Sequence, residues 1–189
     1  GRDEIIVIGG VALIGLFAIN RKVTDMDSFE QWAYIVKKMY LTGSLHSAQG
    51  QYSSTALYPP GIALIQYFVG SYASAFSEST LFIGKNMLGF ALLLPLFGQS
   101  DQNNWKSLLF LVPIAIFLPF TEYSTFDSSL AVDPLLGLLF GYLVLYGVTS
   151  TRTNWFFFIN LALGSFVLSL TKTTGFLFCS FVVFIVLFL

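Results

Sequence analysis

Charge is what this sequence has least of. Only 10% of its 189 residues are charged, while 56% are hydrophobic. Soluble domains carry about 25% charged residues, and so apolar a chain has too few polar groups to cover a water-facing surface. The net charge of −1 argues against a nucleic-acid partner, which would favour a clearly basic face. The one cysteine, Cys179, excludes an internal disulfide framework, and within its apolar run it reads as a small packed residue. The one histidine, His46, sits in a polar loop without a companion at metal-ligand spacing. No internal repeat is evident. The first apolar run follows Asp3 and Glu4 and lacks a small-x-small cleavage site, which argues against reading that run as a signal peptide.

What is present in quantity is apolar sequence, with Phe alone occurring 21 times. Apolar segments run over 5–20, 61–76, 80–98, 107–121, 133–149, 155–171 and 173–189. They imply an all-α membrane protein, one polytopic bundle over 1–189, in contact with membrane lipids. The first run is short for a hydrocarbon core of about 30 Å, and the last is still apolar at Leu189. The chain therefore reads as part of a longer protein.

The stretch 20–60 is the one long polar connection. From Asp27, apolar residues fall at Phe29, Trp32, Ile35, Val36, Met39 and Tyr40, the spacing of an amphipathic helix. Asp27 and Glu30 have the capping-box arrangement that starts such a helix, and Thr42-Gly43-Ser44 ends it. Trp32 and Tyr40 suit a water–lipid interface, so the helix is expected to lie on the membrane surface; a cap over the bundle has the same pattern. Tyr58-Pro59-Pro60-Gly61 then stops the loop, and the helix that follows, with Gln66, Gly70, Ser71 and Ser74, is a poor crossing candidate.

Ionisable residues at membrane depth are costly and mark candidate sites. Asp25 and Asp27 follow the first helix; Glu122, Asp127 and Asp133 lie between the fourth and fifth segments; Lys85 lies within the third and Lys172 between the last two. Each also has a structural explanation. Asp27 and Asp133 suit helix N-termini, and Lys85 and Lys172 can snorkel to head groups.

The order of these features carries more than any one of them. A helix, Asp25-Met26-Asp27, an amphipathic helix ending at Gly43, Tyr58-Pro59-Pro60-Gly61, Asp133-Pro134 and Thr171-Lys172-Thr173-Thr174-Gly175 follow in turn. This resembles the N-terminal half of GT-C class membrane glycosyltransferases, the superfamily of protein O-mannosyltransferases and aminoarabinose transferases. The resemblance implies a polyprenyl-phosphate-linked sugar as donor, with an extracytoplasmic active site in a bacterial cell membrane. It implies an essential carboxylate in the first extracytoplasmic loop (21–79), here Asp27 or Asp25, with Asp27 preferred because it abuts the amphipathic helix. It implies a second carboxylate at Asp133, with Asp127 in reserve, and a basic group near the lipid phosphate at Lys172. Tyr58 and Lys85 complete the candidate substrate-binding residues. Many relatives have Asp-Glu or a single Asp where this chain has Asp-Met-Asp.

Sugar transfer to a hydroxyl needs a base, which a carboxylate supplies, and stabilisation of the departing phosphate, for which Lys172, Arg21, Lys22 and Lys85 are available. Asp25 and Asp27 are equally suited to hold a divalent metal ion against the phosphate. Placing Asp27, Asp133 and Lys172 on one side requires about six transmembrane helices, with 61–76 belonging to the first loop as an interfacial, juxtamembrane element. Against this, the implied outer side would hold Arg21, Lys22, Lys37, Lys38, Lys85 and Lys172 and the inner side only Arg2, Lys106 and Arg152, the reverse of the positive-inside rule. The rival readings are a transporter or flippase-like protein, for which the paired interrupted helices of an internal repeat are missing, and a non-catalytic membrane scaffold.

Overall fold

A computed structural model describes residues 2–45, 59–98, 130–150 and 154–188. Tyr58, Asp127, His46, Glu122 and the apolar segment 107–121 lie outside the described residues. Within them the chain is helical throughout, with no strand.

Helix α1 (Arg2–Ala18) opens with Asp3 and Glu4, acidic groups that favour the positive end of the helix dipole. It ends at Asn20, whose φ of 57° is a left-handed conformation that Asn tolerates. Helix α2 (Tyr34–Thr42) is entered through a π-helical turn, Ser28–Ala33. Gly43, with φ of 62°, closes α2 by donating its N–H to the Met39 carbonyl at 2.8 Å. Helices α3 (Gly61–Gly70), α4 (Glu78–Gly98), α5 (Asp133–Thr149), α6 (Trp155–Ser169) and α7 (Gly175–Leu187) complete the bundle. Pro134 stands in the first turn of α5, where its missing N–H costs nothing. The Asn154 side chain caps α6 by accepting from Phe157 N.

Helix α4 is the hub, packed on α1, α3 and α5, and α5 in turn packs on α6 and α7. Two apolar cores result. In one, Trp32, Ile35, Val36 and Met39 meet Ile62, Phe82 and the 130–135 segment; in the other, Leu139 and Leu143 of α5 meet Leu168 and Val182. Burying each such side chain contributes about 1.5–3 kcal/mol.

The expected six-crossing membrane bundle is overturned. Among the described residues no helix is long and apolar enough to cross a membrane. A crossing needs about 20 consecutive apolar residues, whereas α1 and α5 have 17, α6 has 15, α7 has 13 and α3 has 10. Helix α4 reaches 21 residues but includes Glu78, Lys85, Asn86 and Pro95. The multi-pass integral membrane localisation falls with the topology, and so does the sidedness drawn from crossing counts. The surface-lying helix is corrected as well. The apolar face of α2 is buried inside the protein against α3 and its neighbours, so its amphipathic pattern serves an internal core.

The two halves of the bundle meet at a backbone contact. Gly61 N–H donates to the Leu170 carbonyl at 2.8 Å. A Cβ at Gly61 would stand 2.5 Å from that oxygen and 2.9 Å from Leu170 Cβ, too close for any side chain. Gly61→Ala is expected to destabilise the fold by about 1–3 kcal/mol through forced separation of these backbones. Gly137→Ala, where a Cβ meets nothing within 4 Å, should be neutral or stabilising by about 0.5–1 kcal/mol from helix propensity. Chemical denaturation of the two variants compares them directly; equal effects would remove the assigned role of the Gly61 contact.

Candidate functional site

The acidic loop after α1 is organised by Asp25. Its Oδ1 accepts from Ser28 N at 2.7 Å, the bond an N-cap makes to the third helical residue. Asp27 makes no side-chain capping bond and is solvent-exposed. The helix therefore starts two residues earlier than Asp27–Glu30 suggested, and Asp25 is the capping residue. Its other oxygen, Oδ2, is buried and has no hydrogen-bond partner among the described residues.

That carboxylate acts on Lys85. The lysine is 1% exposed within α4, so the expectation that its ammonium snorkels outward does not hold. Burial lowers its pKa from 10.5 to about 7, against the opposing pull of the Asp25 charge. Gln66 of α3 is buried nearby in sequence terms, its Nε2 donating to the Leu81 carbonyl at 3.2 Å one helical turn before Lys85.

Two further contacts gather the remaining motifs. Ser28 is fully buried, and its Oγ accepts from Leu130 N at 2.6 Å, which ties the turn after Asp27 to the segment leading into Asp133. The Gly61–Leu170 contact ties the Pro59-Pro60-Gly61 corner to the turn holding Lys172. Lys172 Nζ then donates to Asp133 Oδ1 at 2.6 Å. The Asp133 side chain is 64% exposed and that of Lys172 26%. So open a pair contributes about 1 kcal/mol or less to stability, and it remains accessible to a ligand. Ser28 carried no signal in the sequence beyond standing three residues after Asp25; its partner lies 102 residues away.

Asp25 and Asp27 were the candidates for a metal ion. Among the described residues no group of three or more His, Cys, Asp or Glu stands together to hold one. One of the Asp25 oxygens is also engaged by Ser28 N–H. Asp25 and Asp27 thus have no third such ligand beside them among the described residues.

The Lys85 pKa has a direct consequence for stability. Between pH 7 and 10.5 the unfolded chain carries the Lys85 proton and the folded chain does not. Folding then gains as the pH rises through this window. Denaturant unfolding should show stability increasing from pH 7 to pH 9, and Lys85→Met should flatten that rise. An unchanged slope in Lys85→Met would assign the dependence to other groups.

Comparison with known proteins finds no matching family model, no matching curated protein and no matching solved structure.

Proposed function

We propose that this chain is a glycosyltransferase module that moves a sugar from a polyprenyl-phosphate-linked donor to an acceptor hydroxyl. The observation that carries the reading is the meeting of motifs distant in sequence. Ser28–Leu130, Gly61–Leu170 and Lys172–Asp133 draw the acidic loop, the proline corner, the Asp133-Pro134 helix start and the Lys172 turn toward one another. Together with the GT-C resemblance in the order of these motifs, this supports a shared site.

In the proposed reaction the acceptor oxygen attacks the anomeric carbon of the donor. The bond between that carbon and the lipid phosphate breaks, and its electron pair leaves with the phosphate. A carboxylate takes the acceptor proton. Asp27 suits this role better than Asp25, because Asp25 is committed to capping Ser28 N and to the buried Lys85. The developing negative charge on the phosphate is the main electrostatic demand, and the partly exposed ammonium of Lys172 meets it. Asp133 positions that ammonium.

Asp27→Asn should reduce transfer of a labelled sugar from a polyprenyl-phosphate donor by about 10²–10⁴-fold, the range expected for loss of a general base. The far-UV spectrum and unfolding midpoint should not change, since Asp27 is exposed and makes no cap. Lys172→Ala should reduce turnover without loss of fold. Full activity in the Asp25→Asn/Asp27→Asn double variant would refute the mechanism.

A further inference from the structure

A cleft of about 310 Å³ opens where the chain leaves α1 and meets the start of α4, and two of its lining residues, Arg21 and Lys22, are also sequence candidates for stabilising a departing phosphate. Its walls are Asn20, Arg21 and Lys22 from the α1 exit, Lys37 from α2, and Phe76, Ser77, Glu78 and Ser79 at the α4 N-terminus. Among the described residues that line it, three cations thus stand against one carboxylate. That carboxylate already has a task, because Glu78 Oε2 accepts from Val23 N at 2.8 Å and pins the exit strand to α4. Ser79 Oγ donates to the Arg21 carbonyl at 3.4 Å and holds the same two walls together. Lys37 Nζ rests 5.7 Å from the centre of the Phe76 ring, which fixes its charge at the cleft. Phe76 is itself fixed by an edge contact with Tyr40, whose hydroxyl donates to the Ala73 carbonyl at 3.2 Å.

We propose that this cleft binds the phosphate group of an anionic ligand. Its volume falls at the lower end of small-molecule sites, which suits a phosphate or diphosphate head better than a large organic body. Cation excess, serine hydroxyls and the positive end of a 21-residue helix converge on one opening. A phosphate brings the multiple charge and acceptor oxygens that such walls satisfy together. The site uses none of Asp27, Asp133 and Lys172, the groups given roles in the transfer reaction, and the titrations below read binding and not transfer. Glu78 lies seven residues before Lys85 on α4, a rise of about 10 Å along the helix.

A free diphosphate and a phospholipid head group share this chemistry, and two titrations separate them. Calorimetry on the full chain would follow inorganic phosphate and pyrophosphate. Co-sedimentation would follow phosphatidylcholine vesicles with and without phosphatidic acid. Pyrophosphate is expected to bind more tightly than phosphate, with affinity falling as salt rises. The Lys22→Ala/Lys37→Ala variant should weaken binding about tenfold or more. Glu78→Gln keeps an oxygen for Val23 N–H but removes its negative charge, so it should strengthen binding severalfold. A purely structural role for Glu78 would not produce that gain. Binding of pyrophosphate that depends on Lys22 and Lys37 assigns a soluble ligand. Dependence seen only with phosphatidic acid vesicles assigns a lipid head group. Absence of saturable binding in both titrations, or equal binding by a folded Lys22→Ala/Lys37→Ala variant, overturns the proposal.

Discussion

The bundle depends on two backbones approaching closely enough to exclude a side chain. Gly61 and Leu170 lie more than a hundred residues apart, and their hydrogen bond joins the start of α3 to the turn between α6 and α7. The first core, built on α2, α3 and α4, would otherwise be linked to the second chiefly through α4 and α5. A hydrogen bond between buried main-chain groups is directional, whereas apolar packing between smooth helices is not. The contact therefore fixes how far α3 slides along α6, and with it the relative positions of the proline corner and Lys172.

The cost of holding charge inside this fold is concentrated at one place. Lys85 is buried almost completely, and desolvation outweighs the favourable field of Asp25. The same aspartate has one oxygen on a backbone N–H and the other buried without a partner among the described residues. Polar groups held at such expense are retained where structure or chemistry requires them. By contrast, Asp133 and Lys172 pair at the surface, where the Asp133 side chain stays 64% exposed and keeps much of its hydration. The acidic loop and the Lys172 turn thus differ in character, one set rigidly into the protein and the other left free to exchange its partner.

The helices were legible in the sequence, and their use was not. Apolar runs at 5–20, 80–98, 133–149, 155–171 and 173–189 correspond to α1, α4, α5, α6 and α7. Composition then suggested a bilayer, because exposed Phe156, Phe166, Phe176 and Phe184 carry the same weight in a sum as buried Leu139 or Leu168. Length and polar content decided the matter, since among the described residues no helix is both long and apolar enough to span. The α2 face was read correctly at Trp32, Ile35, Val36 and Met39, yet Phe29 proved 65% exposed. A π turn shifts the register between Phe29 and Trp32, and a fixed helical period cannot express that shift. The cap was misplaced because Asp25 and Asp27 are chemically equivalent; only the position of Ser28 N–H distinguishes them. The Ser28–Leu130 bond has no local signature at all, since each partner looks like an ordinary loop residue until the fold brings them together.

The π turn at Ser28–Ala33 also bears on which insertions and deletions this protein can absorb. Such a turn holds one residue more than the helix around it needs, so removing a single residue there would restore regular α-helical hydrogen bonding. The shorter helix would be locally more regular. Because the extra residue is taken up within the turn, the residues before it would keep close to their present angular positions relative to α2. The same deletion made within α2 would rotate everything before it by about 100°, turning Asp25 away from Lys85 and the Ser28 hydroxyl from Leu130. The irregular turn is thus the one place in this helix where a residue can be lost while the acidic loop keeps its alignment.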